Sequence, residues 1–234
     1  MKAVYCNGLS KAYKTNKVLD NITLSIEENK IVGLVGRNGA GKTTLLKLCA
    51  GYLLPTAGEV KVFGENSFNN LTVLSNLVFI DEQLPYDKSM KLYDIMQLNQ
   101  RLYENWSQTI ADQLLKEFNL KKEMKYSDLS TGMKTQFNII MGLSTRAKLT
   151  IFDEPTLGLD IAMRKKLYEL ILNEYMEFPR TIVLSSHLIS EIENMMEEVV
   201  ILSQGKVLLH KTIEELQEYA VYLNGKKDRV EEFI

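Results

Sequence analysis

The chain has 234 residues, 45% of them hydrophobic and 25% charged. That is enough for one domain with an ordinary core, and it excludes a disordered, collagen-like or coiled-coil protein. The formal net charge of −2 gives no whole-chain attraction to nucleic acid. Two cysteines without a CxxC, Cys6 and Cys49, exclude a disulfide scaffold and a cysteine-built zinc site.

Met1 to Ser10 lacks the apolar core of a secretory signal, and no apolar run approaches the roughly 18 residues of a membrane span. The first 30 residues alternate and predict antiparallel strands. Ile31–Val35 is an unbroken apolar run rich in β-branched residues, the pattern of a strand buried on both faces of a parallel sheet. Pro55 and Gly58 supply turn chemistry before a second alternating segment, Glu59–Phe63. Residues 85–145 hold almost no strand-like run. Leu92, Ile95, Met96, Leu102, Tyr103 and Trp106 recur at helical spacing, and so do Ile110, Leu114, Leu115 and Phe118, with Ser107 as a cap. This predicts an all-helical insertion. Leu149–Phe152, Thr181–Ser185 and Val199–Leu202 read as further buried strands. Between the first two of these, Leu167, Leu170, Ile171 and Tyr175 mark a helix capped by Asp160. Thr212 and Glu215 form a capping box for a short last helix. Strands alternating with helices predict an α/β fold with a helix-wrapped parallel sheet. The predicted domain spans residues 1–220, with a helical subdomain over 85–145 and a loose tail over 221–234.

The sharpest motif is GRNGAGKTT: Gly36, Arg37, Asn38, Gly39, Ala40, Gly41, Lys42, Thr43 and Thr44. It matches G-x-x-x-x-G-K-[ST] between a strand and a helix, the context a phosphate loop (Walker A) requires. Glycines let the backbone wrap around phosphate with its N–H groups pointing inward, and the helix N-terminus adds a positive dipole end. Lys42 is expected on the β- and γ-phosphates, and the Thr43 hydroxyl on Mg²⁺. A second motif, LTIFDEP, ends a buried strand in two acids. Asp153 at the sheet's carboxyl edge is expected to hold Mg²⁺, and Glu154 to act as general base toward the attacking water.

The order GRNGAGKTT, LSTGM, LTIFDEP, LGLD, SSH resembles an ATP-binding cassette (ABC) ATPase over about Tyr5 to Leu216. The resemblance implies a P-loop NTPase fold, a RecA-like parallel sheet with an antiparallel β subdomain and a helical insertion. It also implies ATP and Mg²⁺ as ligands. Tyr13 stands where the family stacks an aromatic ring on adenine. LSTGM resembles the family's LSGGQ signature, in which Ser130 and Gly132 meet the γ-phosphate held by a partner subunit. Thr131 and Met133 depart from that pattern. Asp160 ends LGLD, the loop that crosses the dimer interface, and His187 ends SSH, where the family contacts γ-phosphate and the water network. In LVFIDEQLP, a loop over Leu77 to Pro85, the γ-phosphate and Mg²⁺ sensor falls on Glu82 or on Gln83, with Glu82 favoured. LSTGMK is similar to exporter ATPases for drugs and antimicrobial peptides. The resemblance thus implies an ATP-hydrolysing subunit, peripheral on the cytoplasmic face of a membrane. It would pair with a second such subunit, identical or different, and drive a separate permease that docks near Leu84–Ile95. The alternative is a non-transport ABC ATPase acting as a mechanical or regulatory module on a membrane partner.

Overall fold

The computed structural model describes residues 1–82 and 86–219. Two sheets clasp one helix. The antiparallel sheet is built from β1 (Lys2–Tyr13), β2 (Asn16–Glu27), β4 (Ala57–Val62) and the two-residue β5 (Glu65–Asn66), in the order β2-β1-β4-β5. The larger sheet contains β3 (Ile31–Val35), β6 (Leu77–Ile80), β7 (Leu149–Phe152), β8 (Thr181–Ser186), β9 (Glu198–Ser203) and β10 (Lys206–Thr212), in the order β10-β9-β3-β8-β7-β6. All of its pairings are parallel except β9 with β10. The mixed α/β architecture expected from the alternation of strands and helices is the one observed.

Helix α1 (Lys42–Cys49) follows β3 and buries Leu45, Leu46, Leu48 and Cys49 between the sheets. They pack on Val4, Cys6 and Leu24 from one sheet and Val32, Leu34 and Ile151 from the other, all within one apolar cluster. The first helix is therefore locked on both sides, as a rigid phosphate-binding element requires.

Four helices fill the opposite face: α3 (Leu92–Leu102), α4 (Gln108–Glu117), α5 (Thr131–Ser144) and α6 (Ile161–Glu177), while the four-residue α2 (Leu71–Leu74) precedes β6. Ser107 caps α4 by accepting from the Ile110 N–H at 3.3 Å. Every residue of α5 from Phe137 to Ser144 is buried, because this half of the helix lies on the sheet. At Gly142 a methyl group would come 2.5 Å from the Phe152 ring, so the glycine lets α5 approach β7 closely. The reciprocal Thr212–Glu215 bonds, 3.0 and 3.1 Å, start α7 (Ile213–Tyr219). The tail over 221–234 lies outside the described residues.

One expectation is corrected. Leu77–Ile80 is not part of a loop but the edge strand β6, paired in parallel with β7 from Leu77 opposite Leu149 to Ile80 opposite Phe152. All four of its residues are buried. Although it lies at the edge, the run is as unbroken and apolar as the central strands, because both of its faces are buried.

In the antiparallel sheet, β1 and β4 approach closely where β1 bulges between Asn7 and Ser10. Gly58 adopts φ +75° there, and a methyl group on it would lie 2.3 Å from the Gly8 carbonyl oxygen. Gly58→Ala therefore combines left-handed strain with a backbone overlap, and it is expected to destabilise the protein by about 2 kcal/mol. The check is the denaturant midpoint; an unchanged midpoint contradicts the close approach.

Candidate nucleotide site

The parallel register sets the site. Val35 of β3 lies beside Ser186 of β8, and Phe152 of β7 lies beside Leu184. One residue beyond these strands come Gly36, Asp153 and His187, so three loops leave the same carboxyl edge of the sheet. Such edges are where ligands bind in open α/β sheets.

The loop after β3 is pinned at both ends. Gly36 N–H donates to the Ser186 carbonyl at 3.3 Å, and the Ala40 carbonyl accepts from Gly205 N–H at 3.1 Å. At Gly36 a methyl group would lie 2.4 Å from the Leu202 carbonyl oxygen, so no side chain fits. Gly41 caps α1 with φ 106°, and its missing side chain makes room for Leu19 and the Val18 carbonyl of β2. Arg37, Asn38 and Gly39 are exposed, and around Gly39 the space is open. The loop thus presents free backbone on one side and is packed on the other, the form of a phosphate cradle.

Lys42 is only 6% exposed. Its ammonium donates to the Gly36 carbonyl at 2.6 Å and lies 3.1 Å from Glu154 Oε1. Oε1 is not aligned for a hydrogen bond, so charge alone holds it there. Glu154 Oε2 lies 3.1 Å from His187 Nδ1. With Nδ1–H donated to the carboxylate, Nε2 is left free to face a substrate. A buried cation needs an anion, and a phosphate entering the cradle offers Lys42 a stronger one than Glu154.

Ser185 was not singled out by sequence reasoning, yet it positions both acids. Its hydroxyl donates to Asp153 Oδ1 at 2.6 Å and accepts from Glu154 N–H at 2.8 Å. Asp153 N–H donates to the Ile80 carbonyl at 2.8 Å. Glu154 itself sits at φ 51°, a left-handed conformation unusual for a glutamate, which stores about 1–3 kcal/mol and aims the side chain toward Lys42. A serine inside an apolar strand just before the SSH histidine was the available signal.

Glu82 is exposed and lines a recess of about 20 Å³ together with Asp81, Asn138, Asp153 and Glu154. Gln83, the neighbouring alternative, lies outside the described residues. The carboxylates of Asp153 and Glu82 and the exposed hydroxyl of Thr43 are hard oxygen donors, the chemistry Mg²⁺ selects. Among the described residues no group of three acids, histidines or cysteines encloses a metal. This donor set suits an ion that keeps waters and phosphate oxygens as most of its ligands.

The remaining predicted residues lie around the rim. Tyr13 ends β1, is 46% exposed, and has the Lys11 ammonium 5.1 Å from its ring centroid. Its hairpin is the one that packs on Gly41 through Val18 and Leu19. Asp160 caps α6, its Oδ1 accepting from Met163 N–H at 2.8 Å. Ser130 caps α5 by accepting from Met133 N–H at 3.3 Å, and the space around Gly132 is open. Among the described residues, neither Ser130 nor Gly132 is bonded to the phosphate loop, Asp153, Glu154 or His187 in its own chain.

A phosphate loop on a parallel sheet, with a strand-end Asp-Glu pair and a histidine beyond the next strand, defines a P-loop nucleoside triphosphatase. The ABC transporter family model matches residues 19–157. The bacitracin transport ATP-binding protein BcrA of Bacillus licheniformis is 34% identical over 203 residues, covering 86% of this chain and 66% of that protein. The lantibiotic transport ATP-binding protein SrtF of Streptococcus pyogenes is 32% identical over 209 residues, covering 87% and 88% respectively. A solved structure of the ATP-binding subunit of an ABC transporter superposes with a TM-score of 0.81 at 26% identity, over 93% of this chain and 92% of that one. The chain belongs to the ABC transporter family as an ATP-binding subunit, and it is an ATPase.

Glu154→Gln is expected to keep ATP binding and to abolish turnover, because the amide cannot take a proton from water. Equilibrium nucleotide binding and phosphate release, measured on the same preparation, check this; hydrolysis at the unaltered rate contradicts the base role.

Proposed function

We propose that the chain is the ATPase subunit of an exporter, working on the cytoplasmic face of a membrane and coupled to a separate permease. Residues 1–220 act as one cassette with its helical subdomain at 85–145. Among the described residues no helix is long and apolar enough to cross a membrane; in this reading the permease supplies the substrate path.

The observation that carries this reading is an exposed apolar groove of about 530 Å³ beside the nucleotide site. Its floor is β6, and its walls include Tyr52, Leu71, Tyr86, Leu98 and Leu102. Leu71 is 82% exposed and Leu102 59%. A contiguous apolar surface of this kind marks a protein contact. It adjoins the predicted docking border at Tyr86 and extends along α3. The floor strand runs directly into Asp81 and Glu82, so occupancy of the groove is mechanically close to the γ-phosphate end of the site. The transport names of BcrA and SrtF support a peptide-antibiotic class of cargo.

In the proposed mechanism Tyr13 stacks on adenine, and the Gly36–Thr44 backbone with Lys42 holds the phosphates. Bound Mg²⁺, held by Thr43, Asp153 and Glu82, would neutralise developing phosphate charge. Glu154, released from Lys42 as the phosphate arrives, accepts the proton of the attacking water, and His187 keeps that carboxylate in place. Ser130 and Gly132 act on the nucleotide of a second subunit, an identical copy or a related cassette, and Asp160 lies at that interface. Catalysis rests on positioning and charge.

Leu71→Glu/Leu102→Glu places two charges on the groove walls. It is expected to lose co-purification with an integral membrane protein while ATP affinity stays within about twofold. Undiminished capture of the membrane protein by this variant contradicts the docking surface. Tyr13→Ala is expected to weaken ATP binding by about 1–3 kcal/mol, judged from base stacking on aromatics; equal affinity by titration contradicts the stacking role.

A further inference from the structure

Four side chains from three segments around the site converge on one carboxylate that the reaction itself does not use. Glu191 closes a short 3-10 turn, Ile189–Glu191, four residues after His187. Its side chain is 13% exposed. Oε1 accepts from Arg164 Nη1 at 2.5 Å. Oε2 accepts from the Ser186 hydroxyl at 3.1 Å and, more weakly, from Thr156 Oγ1 and the Tyr168 hydroxyl at 3.5 Å each. Ser186 has one hydroxyl proton to divide between Glu191 and the Leu188 carbonyl at 3.1 Å, while it accepts from Leu188 N–H at 3.0 Å. Burial pushes the Tyr168 phenol up to about 12, so it remains a donor at neutral pH.

These donors have positions that matter. Ser186 immediately precedes His187. Thr156 stands two residues after Glu154 and is 3% exposed. Arg164, from the first turns of α6, also donates its Nε to the Leu159 carbonyl at 2.9 Å, and Leu159 immediately precedes Asp160. One ion pair therefore ties the backbone before Asp160 to the backbone before His187, with the segment after Glu154 held between them.

We propose that Glu191, through its ion pair with Arg164, is the positioning residue that aligns the His187 and Asp160 loops for hydrolysis. It touches neither nucleotide nor water. It acts by fixing two loops against each other, so that His187 holds Glu154 only when the Asp160 loop is seated. The phosphate loop meets this network only at the backbone, where Gly36 N–H donates to the Ser186 carbonyl; Gly36 follows β3, Lys42 begins α1 and Tyr13 ends β1, and none of their side chains bonds to Glu191. Loss of Glu191 should thus leave ATP binding intact and slow the chemical step, because small misplacements of catalytic groups reduce rates steeply.

The inference rests on the assigned roles of Glu154 and His187. The two ideas fail separately: a wrong base assignment appears as turnover by Glu154→Gln, whereas a wrong positioning assignment appears as unaltered turnover by Glu191→Ala. The test is steady-state ATP hydrolysis with the full chain, read as kcat and KM separately. Glu191→Ala is expected to lower kcat about tenfold or more with KM for ATP within about twofold. Glu191→Gln keeps the shape and an oxygen acceptor for Arg164 but gives up the ion pair, so kcat should stay at least about threefold below that of the unaltered chain. A simple packing role would instead let this isosteric variant recover in full. A cavity of about 470 Å³ already borders Arg164, Tyr168 and Glu191, so truncation opens onto existing space instead of a sealed core. Should Glu191→Ala fail to fold, Arg164→Gln decides, with the same fall in kcat at steady KM expected. The pair Arg164→Gln/Glu191→Ala should lose no more than the worse single variant. Unaltered kcat in a folded single variant, a rise in KM in place of the fall in kcat, or strictly additive losses would each overturn the proposal.

Discussion

Parallel register is the constraint on which the rest of the molecule depends. Strands β3, β7 and β8 are hydrogen-bonded so that their carboxyl ends open on one edge, Val35 beside Ser186 and Phe152 two residues lower, beside Leu184. A slip of one residue would move every side chain of a strand to the opposite face. It would also separate Lys42 from Glu154 and Glu154 from His187. Both faces of these strands are buried, so the slip would have to repack two close-packed layers at once. Function at the edge therefore draws on packing in the middle, including α1 held between two sheets.

On this frame the electrostatics are poised. A lysine ammonium with 6% exposure must have partners, and it has a carbonyl and a carboxylate. The same glutamate has a left-handed backbone braced at its N–H by Ser185, and its carboxylate is held by His187. The arrangement keeps a base near a cation without a strong hydrogen bond between them. In the proposed mechanism a phosphate competes for that cation and leaves the carboxylate to water, so binding and activation of the base are the same electrostatic event.

Much of the site was legible because its signals are local. A phosphate loop declares itself by glycine spacing between a strand and a helix, and Asp153-Glu154 by acids that end an apolar run. Asp160, Ser107 and the Thr212–Glu215 pair were readable as caps because capping is a matter of three or four neighbouring residues. What was missed depends on pairing across the chain. Leu77–Ile80 is no shorter than Leu149–Phe152, and what its neighbours in the chain do not reveal is its pairing with β7, about seventy residues later. Ser185 looks like an ordinary strand serine until Asp153 and Glu154 arrive beside it. Glu191 looks like a surface acid on a polar turn, and only the folded position of Arg164 and Ser186 gives it meaning.

The central claim is that one chain carries half of each working site: the cradle and base on one edge, with Ser130 and Gly132 turned to a neighbour. Specific activity measured against chain concentration tests this most directly. The account predicts phosphate release per chain that rises with concentration and levels off as pairs form, in step with ATP-dependent association in sedimentation. Release per chain that stays constant at full rate down to concentrations where the protein sediments as a monomer would contradict it.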